Sequence, residues 1–218
     1  MKLAAELAKL GLKQPVVLAL PRGGVPVAAE IAKVLDAPLE LLVVRKVGAP
    51  GNPQLAVAAI VDGEPPDVII NREIAEAYCL DDDELRSLVQ QELPELERRR
   101  QVYKTERKPD SLAGKTIILV DDGVATGTTM KVALRALKRR GPKEVILAIP
   151  VAPPDVIAEL RQEADQLVCI SQPMRFRALG YHYVSFPQIT DEEVIETLKM
   201  TEEASTVRAL QAGRRTAF

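Results

Sequence analysis

The 218-residue sequence predicts an α/β fold in which helices flank a parallel β-sheet. Three observations support this prediction. Five short apolar runs are continuous rather than alternating, which is typical of strands buried on both faces of a sheet. Segments with helical spacing lie between most of these runs, as crossovers between parallel strands require. Polar or glycine-rich residues follow three of the runs, at the edge where such sheets bind ligands.

The elements follow one another along the chain in a Rossmann-like order. A short amphipathic helix over Leu3–Leu10 ends at Gly11. The five core strands are predicted at Val16–Leu20, Leu39–Val44, Thr116–Val120, Glu144–Ile149 and Gln166–Ile170, with further strands at Ala56–Val61 and Val68–Ile70. Helices are predicted at Val25–Leu35, Met130–Arg140, Pro154–Glu163 and Asp191–Met200.

The charge pattern changes after the strand predicted at Val68–Ile70. Leucines and a valine recur at helical spacing among many charges from Asp81 to Lys104, so we expect a surface helix there, broken at Pro94. We therefore predict one domain over residues 1–200, with a helical insertion at about 71–110 and a small C-terminal hood at about 171–190. A poorly ordered tail is expected at 201–218.

Composition excludes several classes of protein. With 47% hydrophobic and 28% charged residues, the chain is typical of soluble globular proteins. Its net charge of −2 provides no basic field for nucleic acid or a membrane surface. No apolar run approaches the roughly 20 residues of a membrane span, and the first residues lack the apolar core of a signal peptide. We expect a cytoplasmic protein with small-molecule substrates; the sequence leaves a homodimer open.

The segment Thr116–Thr129 runs from a strand through a loop into a helix, and each part has a chemical use. Two adjacent carboxylates, Asp121 and Asp122, cannot both be buried without a cation or hydrogen-bond donors. Sugar hydroxyls can donate to them, and Mg²⁺ can neutralise them. The loop Ala125–Thr129 presents backbone N–H groups and three Thr hydroxyls at a helix N-terminus, which suits a phosphate. The pattern therefore predicts a sugar-phosphate site rather than an ordinary N-cap, which needs only one such residue.

Two other phosphate-binding motifs fit this segment poorly. A Walker A loop is excluded because no Gly-Lys-Ser/Thr follows the loop. In a dinucleotide fingerprint the acidic residue follows the glycines by about 20 residues, whereas here the acidic pair precedes the loop.

Thr116–Thr129 closely resembles the signature of type I phosphoribosyltransferases, except that Gly123 stands where a larger apolar residue is common. The resemblance implies that Asp121 and Asp122 hold the ribose hydroxyls of 5-phosphoribosyl 1-diphosphate and are catalytic. It implies that these two carboxylates also hold Mg²⁺, directly or through the donor. The residues that it assigns to the 5-phosphate are Ala125, Thr126, Gly127, Thr128 and Thr129. It extends over about Val16 to Met200 and is strongest to a bacterial branch whose acceptor is unassigned.

The ends of the first two strands add to the resemblance. Alone, Pro21-Arg22-Gly23-Gly24 is a tight turn and Arg45-Lys46 is surface charge. In the family, the first segment is the pyrophosphate loop, often with a cis peptide, so Arg22, Gly23 and Gly24 are implied to bind substrate. A basic pair at the second position contacts pyrophosphate, which implies a binding role for Arg45 and a catalytic one for Lys46. The following Gly48–Pro53 stretch is implied to be a loop that acts as a mobile lid.

The predicted hood resembles that of purine phosphoribosyltransferases in part. Phe176 and Tyr181 are implied to bind the acceptor, with ordinary packing as the alternative. Those enzymes carry a lysine where this chain has Ile149–Ala152, and an aspartate where it has His182–Val184, so a 6-oxopurine acceptor is not implied. His182, the single histidine, suits either packing or a base near the acceptor.

The resemblance implies transfer of a 5-phosphoribosyl group from 5-phosphoribosyl 1-diphosphate to a nitrogenous acceptor, with release of pyrophosphate. Two alternatives remain open on the sequence. One is a regulator that binds the diphosphate without transfer, and the other is a hydrolytic or phosphorolytic enzyme that uses the same ribose-phosphate site.

Overall fold

A computed structural model describes residues 2–103 and 111–215 of the chain. The strands are β1 Val16–Ala19, β2 Leu39–Leu41, β3 Val44–Ala49, β4 Asn52–Val61, β5 Asp67–Ile70, β6 Thr116–Val120, β7 Glu144–Val151 and β8 Gln166–Ser171. The helices are α1 Lys2–Ala8, α2 Gly24–Leu35, α3 Arg72–Ala77, α4 Asp82–Val102, α5 Thr128–Arg139, α6 Pro154–Glu163 and α7 Asp191–Arg215, with a short 3₁₀ helix at Leu179–His182.

The main sheet confirms the predicted α/β fold. It has five parallel strands in the order β2-β1-β6-β7-β8, and its strands β1 and β6 are fully buried. One apolar cluster on the sheet includes residues of α1, α2 and α7, whereas α5 and α6 pack in a second cluster. The strand order reverses between β1 and β6, which makes this boundary the topological switch point of the sheet.

A second sheet corrects the prediction for residues 44–53. Strands β3, β4 and β5 form an antiparallel sheet, so the expected loop after Lys46 is instead the hairpin β3–β4, with Gly51 in its turn at φ 72°. The chain changes sheets inside one apolar run: the N–H of Leu42 donates to Ala19 at 2.9 Å, and the carbonyl of Val43 accepts from Asp62 at 2.8 Å. The predicted strand Leu39–Val44 therefore ends three residues early.

Two helices differ from the sequence prediction. Helix α4 continues through Pro94, because a capping box between Asp81 and Glu84 and ion pairs from Glu95 to Arg98 and Arg99 stabilise it. The expected break was wrong.

Helix α7 continues past its predicted end at Met200 as far as Arg215, through most of the predicted tail. No Gly or Pro interrupts residues 201–212, and the hydroxyls of Thr201 and Thr206 donate to carbonyls one turn earlier. Within the described residues, no helix combines the length and apolarity that a membrane crossing requires.

Candidate functional site

The candidate site lies at the switch point, where the loops after β1 and β6 leave neighbouring strands at the same edge of the sheet. Strands β1 and β6 pair in parallel, with Ala19 opposite Val120, so both loops begin at the same level. The N–H of Leu20 donates to the carbonyl of Val120 at 2.9 Å and extends this pairing towards the loops. The fold thus brings Arg22-Gly23-Gly24 beside Asp121-Asp122.

The two loops touch at a glycine. A Cβ atom on Gly23 would lie 2.0 Å from Oδ2 of Asp122, and one on Gly24 would lie 2.8 Å from the Val120 carbonyl oxygen. No side chain fits at either position without displacing its neighbour. The peptide bond between Pro21 and Arg22 is cis. The glycines therefore allow the backbone of the first loop to lie directly against the acidic pair.

The acidic pair is electrostatically unsatisfied. Burial raises the pKa of Asp121 well above its usual range, and the neighbouring Asp122 carboxylate raises it further. Burial also raises the pKa of Asp122, whose N–H donates to Oδ1 of Asp121 at 2.9 Å. Across the described residues, no ion pair joins either carboxylate to a lysine or arginine. A ligand that brings a cation or hydroxyl donors would stabilise the charged form of the pair.

The loop after the acidic pair leads into α5 and leaves the start of that helix open. Gly127, at φ 75°, occupies the N-cap and has no side chain with which to cap the helix. Ala125 and Thr126 are exposed, and Thr128 and Thr129 are half-buried in the first turn. The first N–H groups of α5 are therefore available to an anion, as the sequence predicted for this loop.

The predicted basic pair is divided between two faces of the second sheet. The Nε atom of Arg45 donates to Glu92 on α4 at 2.6 Å. Side chains alternate along a strand, so Lys46 shares the opposite face with Val44, which packs against the cluster that contains α5. Lys46 is exposed on that face, whereas Arg45 is directed to the insertion.

Arg22 is in contact with the last helix and, through it, with the insertion. Its Nη1 atom lies 3.8 Å from Oδ1 of Asp191, at the start of α7. The same oxygen accepts from the hydroxyl of Tyr103, the C-cap of α4, at 2.5 Å. Burial, together with Asp191, raises the pKa of Tyr103 to about 12, which keeps its hydroxyl a donor. The structure thus connects Arg22 to two elements that sequence patterns did not associate with it.

The hood packs on the loop that carries the acidic pair through two contacts. Leu179, which begins the 3₁₀ helix, lies so close that a Cβ on Gly123 would be 2.1 Å from its Cδ2 atom. The hydroxyl of Tyr183 donates to the backbone carbonyl of Asp122. Burial and the two nearby carboxylates raise the pKa of Tyr183 to about 12. No sequence motif pointed to Tyr183, because this bond joins residues 61 positions apart.

The two predicted acceptor residues lie in the hood but do not lie against each other. The ring of Phe176 stacks on His182, with centroids 5.1 Å apart, whereas Tyr181 is 76% exposed. The Nε2 atom of His182 is buried and has no hydrogen-bond partner in the described part of the chain. Phe176 and His182 therefore pack together, and Tyr181 presents a free ring.

Comparison with known proteins places these features in a family context. A family model described as "Phosphoribosyl transferase domain" matches residues 1–185. The chain is 42% identical over 197 residues to "Putative phosphoribosyl transferase Rv0571c" of Mycobacterium tuberculosis (strain ATCC 25618 / H37Rv), a match that covers 90% of this chain and 44% of that protein. The chain thus spans less than half the length of the curated relatives it matches. The crystal structure of TT1426 from Thermus thermophilus matches with a TM-score of 0.80 and 41% identity, over 90% of this chain and 92% of the other.

Proposed function

The chain belongs to the phosphoribosyl transferase domain family, and we propose that it transfers a 5-phosphoribosyl group from 5-phosphoribosyl 1-diphosphate to a nitrogenous acceptor, releasing pyrophosphate. The observation that carries this proposal is the contact between Gly23 and the Asp122 carboxylate. In this contact a glycine-rich loop lies beside two carboxylates that have no basic partner among the described residues, next to the open start of α5. A ribose with a phosphate at one end and a diphosphate at the other matches that order of groups.

Each part of the donor has a corresponding set of residues. We assign the 5-phosphate to Ala125–Thr129, because N–H groups at the start of a helix stabilise an anion. The ribose hydroxyls would donate to Asp121 and Asp122. The diphosphate would lie against Gly23 and Gly24, where the absence of side chains permits a close approach, with Arg22 and Lys46 supplying positive charge.

The reaction breaks the bond between the anomeric carbon and the diphosphate oxygen and forms a bond from that carbon to the acceptor nitrogen, with inversion. Positive charge develops on the ribose ring when the first bond breaks early. The carboxylate of Asp122 would stabilise that charge electrostatically, and the hood would hold the acceptor in line. In this scheme the donor loops bind and orient, and the charges of Arg22 and Lys46 stabilise the leaving group.

The acidic pair also fits a magnesium ion. Its two carboxylates have raised pKa values and no basic partner among the described residues, so a cation would relieve their repulsion. The described residues contain no cluster of three or more potential metal ligands, and Mg²⁺ commonly binds to one or two carboxylates together with substrate oxygens. Asp121 and Asp122 would therefore share the ion with the donor. An ion held there would supply positive charge that stabilises the departing diphosphate.

Pyrophosphate release tests this function. Purified protein is mixed with the donor and magnesium, and a panel of nucleobases and other amines is added one at a time. Release that depends on an acceptor supports transfer, whereas release without one indicates hydrolysis. Donor binding without pyrophosphate release from any mixture would contradict transfer and identify a binding protein. The ion pairs that already engage Arg22 and Arg45 fit that alternative, because they occupy side chains that would otherwise stabilise the leaving group.

A further inference from the structure

Arg22, which the proposed function places at the diphosphate, is held by two contacts in series. Its Nη1 atom lies 3.8 Å from Oδ1 of Asp191, and that oxygen accepts from the hydroxyl of Tyr103 at 2.5 Å. A separation of 3.8 Å is an ion pair without a hydrogen bond. In the part of the chain that the structure describes, the guanidinium of Arg22 has no hydrogen-bond partner. The ion pair therefore engages the charge of Arg22 but leaves its N–H donors to a ligand.

The backbone that carries Asp191 is fixed at the start of α7. The hydroxyl of Thr190 accepts from the N–H of Glu193 at 3.2 Å, and the Glu193 carboxylate accepts from the N–H of Thr190 at 2.8 Å. This reciprocal pair is a capping box, which leaves Asp191 as the first residue of the helix. Val194 is fully buried in the apolar cluster that also includes α2, the helix that follows Arg22-Gly23. Asp191 and the loop of Arg22 are thus anchored on the same core.

The carboxylate of Asp191 is restrained by the insertion. Tyr103, the C-cap of α4, is buried in the same apolar cluster, so packing holds its ring in place. Burial and Asp191 raise the pKa of Tyr103 to about 12, against the opposing charges of Arg99 and Arg22. Near neutral pH the hydroxyl is therefore protonated and continues to donate. Order passes from a buried ring through a carboxylate that is 31% exposed to a guanidinium side chain that is 51% exposed.

An ordered Arg22 would bind a diphosphate more tightly than a freely rotating one. An arginine side chain has large rotamer freedom, and a ligand that must immobilise it loses affinity. A carboxylate that already restricts the guanidinium reduces this loss. Resting on the proposed function, we propose that Asp191 and Tyr103 are positioning residues, which hold the guanidinium of Arg22 ready for the diphosphate of the donor and so favour the donor over ribose 5-phosphate.

The charge of Asp191 has an effect of opposite sign, because a carboxylate repels a diphosphate. Water screens this repulsion between partly exposed groups, whereas the restraint acts on Arg22 directly. Glu192 separates the two effects. It is exposed, it adjoins Asp191 in the chain, and among residues 2–103 and 111–215 it forms no ion pair. Glu192→Gln therefore removes an equal charge from the same helical turn without altering the contact to Arg22.

Calorimetry with two ligands tests this inference in the presence of Mg²⁺ and without an acceptor. The ligands are 5-phosphoribosyl 1-diphosphate and ribose 5-phosphate, which lacks the diphosphate. Asp191→Asn keeps an oxygen that can accept from Tyr103 and removes the charge beside Arg22, and Tyr103→Phe removes only the hydroxyl. Glu192→Gln is the matched control, and thermal unfolding is recorded for every variant. Arg22→Gln, alone and combined with Asp191→Asn, completes a double-mutant cycle.

We expect Asp191→Asn and Tyr103→Phe to weaken binding of the donor about 2- to 10-fold, the range for immobilising one such side chain, and to leave the affinity for ribose 5-phosphate at the wild-type value. Glu192→Gln should not weaken donor binding. In the Arg22→Gln background, Asp191→Asn should have no further effect. Unchanged or tighter donor binding in Asp191→Asn, a full effect in the Arg22→Gln background, or an equal loss of affinity for ribose 5-phosphate overturns the inference.

The same measurements separate this inference from the proposed function. Weaker donor binding in Arg22→Gln, with none in Asp191→Asn, would contradict the positioning role and leave the proposed transfer standing. The expected pattern of affinities without pyrophosphate release in the presence of any acceptor would keep the positioning role and contradict transfer.

Discussion

Replacing Gly23 with alanine would place a methyl group against the Asp122 carboxylate. The new Cβ would lie 2.0 Å from Oδ2 and 2.6 Å from Cγ, whereas ordinary contacts begin at 3.4 Å. The oxygen must therefore move by about 1.4 Å, the difference between 3.4 and 2.0 Å. Displacing a catalytic group by 1 Å can reduce turnover about 100-fold. Gly23 has φ −60° and ψ −33°, which alanine adopts without strain, so the effect arises from the contact.

Pyrophosphate release from 5-phosphoribosyl 1-diphosphate measures the loss of turnover, and thermal unfolding measures stability. Overpacking should cost about 1–3 kcal/mol, so the variant is assayed well below its unfolding temperature. Gly11→Ala is the control: it forces alanine into φ +60° at about 1–2 kcal/mol, with no atom within 4 Å of the new methyl. Gly11→Ala should keep wild-type turnover. Wild-type turnover and wild-type ribose 5-phosphate affinity in Gly23→Ala would refute a catalytic role for the position of the Asp122 carboxylate beside Gly23.

Three further predictions concern the acidic pair and its neighbours. Asp122→Asn should reduce turnover roughly 10- to 1,000-fold, the range of a single electrostatic catalytic contact, and an unchanged rate would exclude that role. Tyr183→Phe removes only the hydroxyl that donates to the carbonyl of Asp122, and it should reduce turnover about 2- to 10-fold, the value of one hydrogen bond. Tyr181→Phe is the control and should leave donor affinity unaltered. Asp121→Asn should increase stability by about 1 kcal/mol near neutral pH, seen as a rise of about 2–4 °C in Tm. Because burial raises the pKa of Asp121, the folded protein holds a proton that the unfolded chain has already lost at pH values between the two pKa values. The free energy of unfolding of the wild-type protein should therefore fall as pH rises from the ordinary carboxyl pKa through the raised value. An equally steep fall in Asp121→Asn would contradict this.

The parts of the site that follow single elements were predictable from sequence. The strands before Pro21 and before Asp121 are continuous apolar runs, and the residues after them are polar or glycine. Local pattern therefore located both loops, and the rule that ligands bind at the carboxyl ends of parallel strands placed them together. The contact of Gly23 with Asp122 bears out their proximity.

The remaining features depend on pairing between distant segments. The apolar run from Leu39 to Val44 crosses from one sheet into another, and hydrophobicity does not change at that point. The position of Arg45 and Lys46 on a strand, facing opposite sides, was therefore not visible. The bonds of Tyr183 to Asp122 and of Tyr103 to Asp191 join residues far apart in sequence and leave no periodic signal.

The close approach of Leu179 to Gly123 implies a rule for how related sequences vary. A methyl group at position 123 would overlap the leucine side chain at 2.1 Å, and would also lie 2.9 Å from the carbonyl oxygen of Val151. A larger residue at the position of Gly123 and a leucine at the position of Leu179 are therefore mutually exclusive in this packing. We expect a relative with a bulkier residue at this position to differ both in the side chain at the position of Leu179 and in the backbone after the acidic pair, because Gly123 has φ 155°, which residues with side chains rarely adopt. We therefore expect the hood residue and the residue after the acidic pair to vary together among related sequences rather than independently.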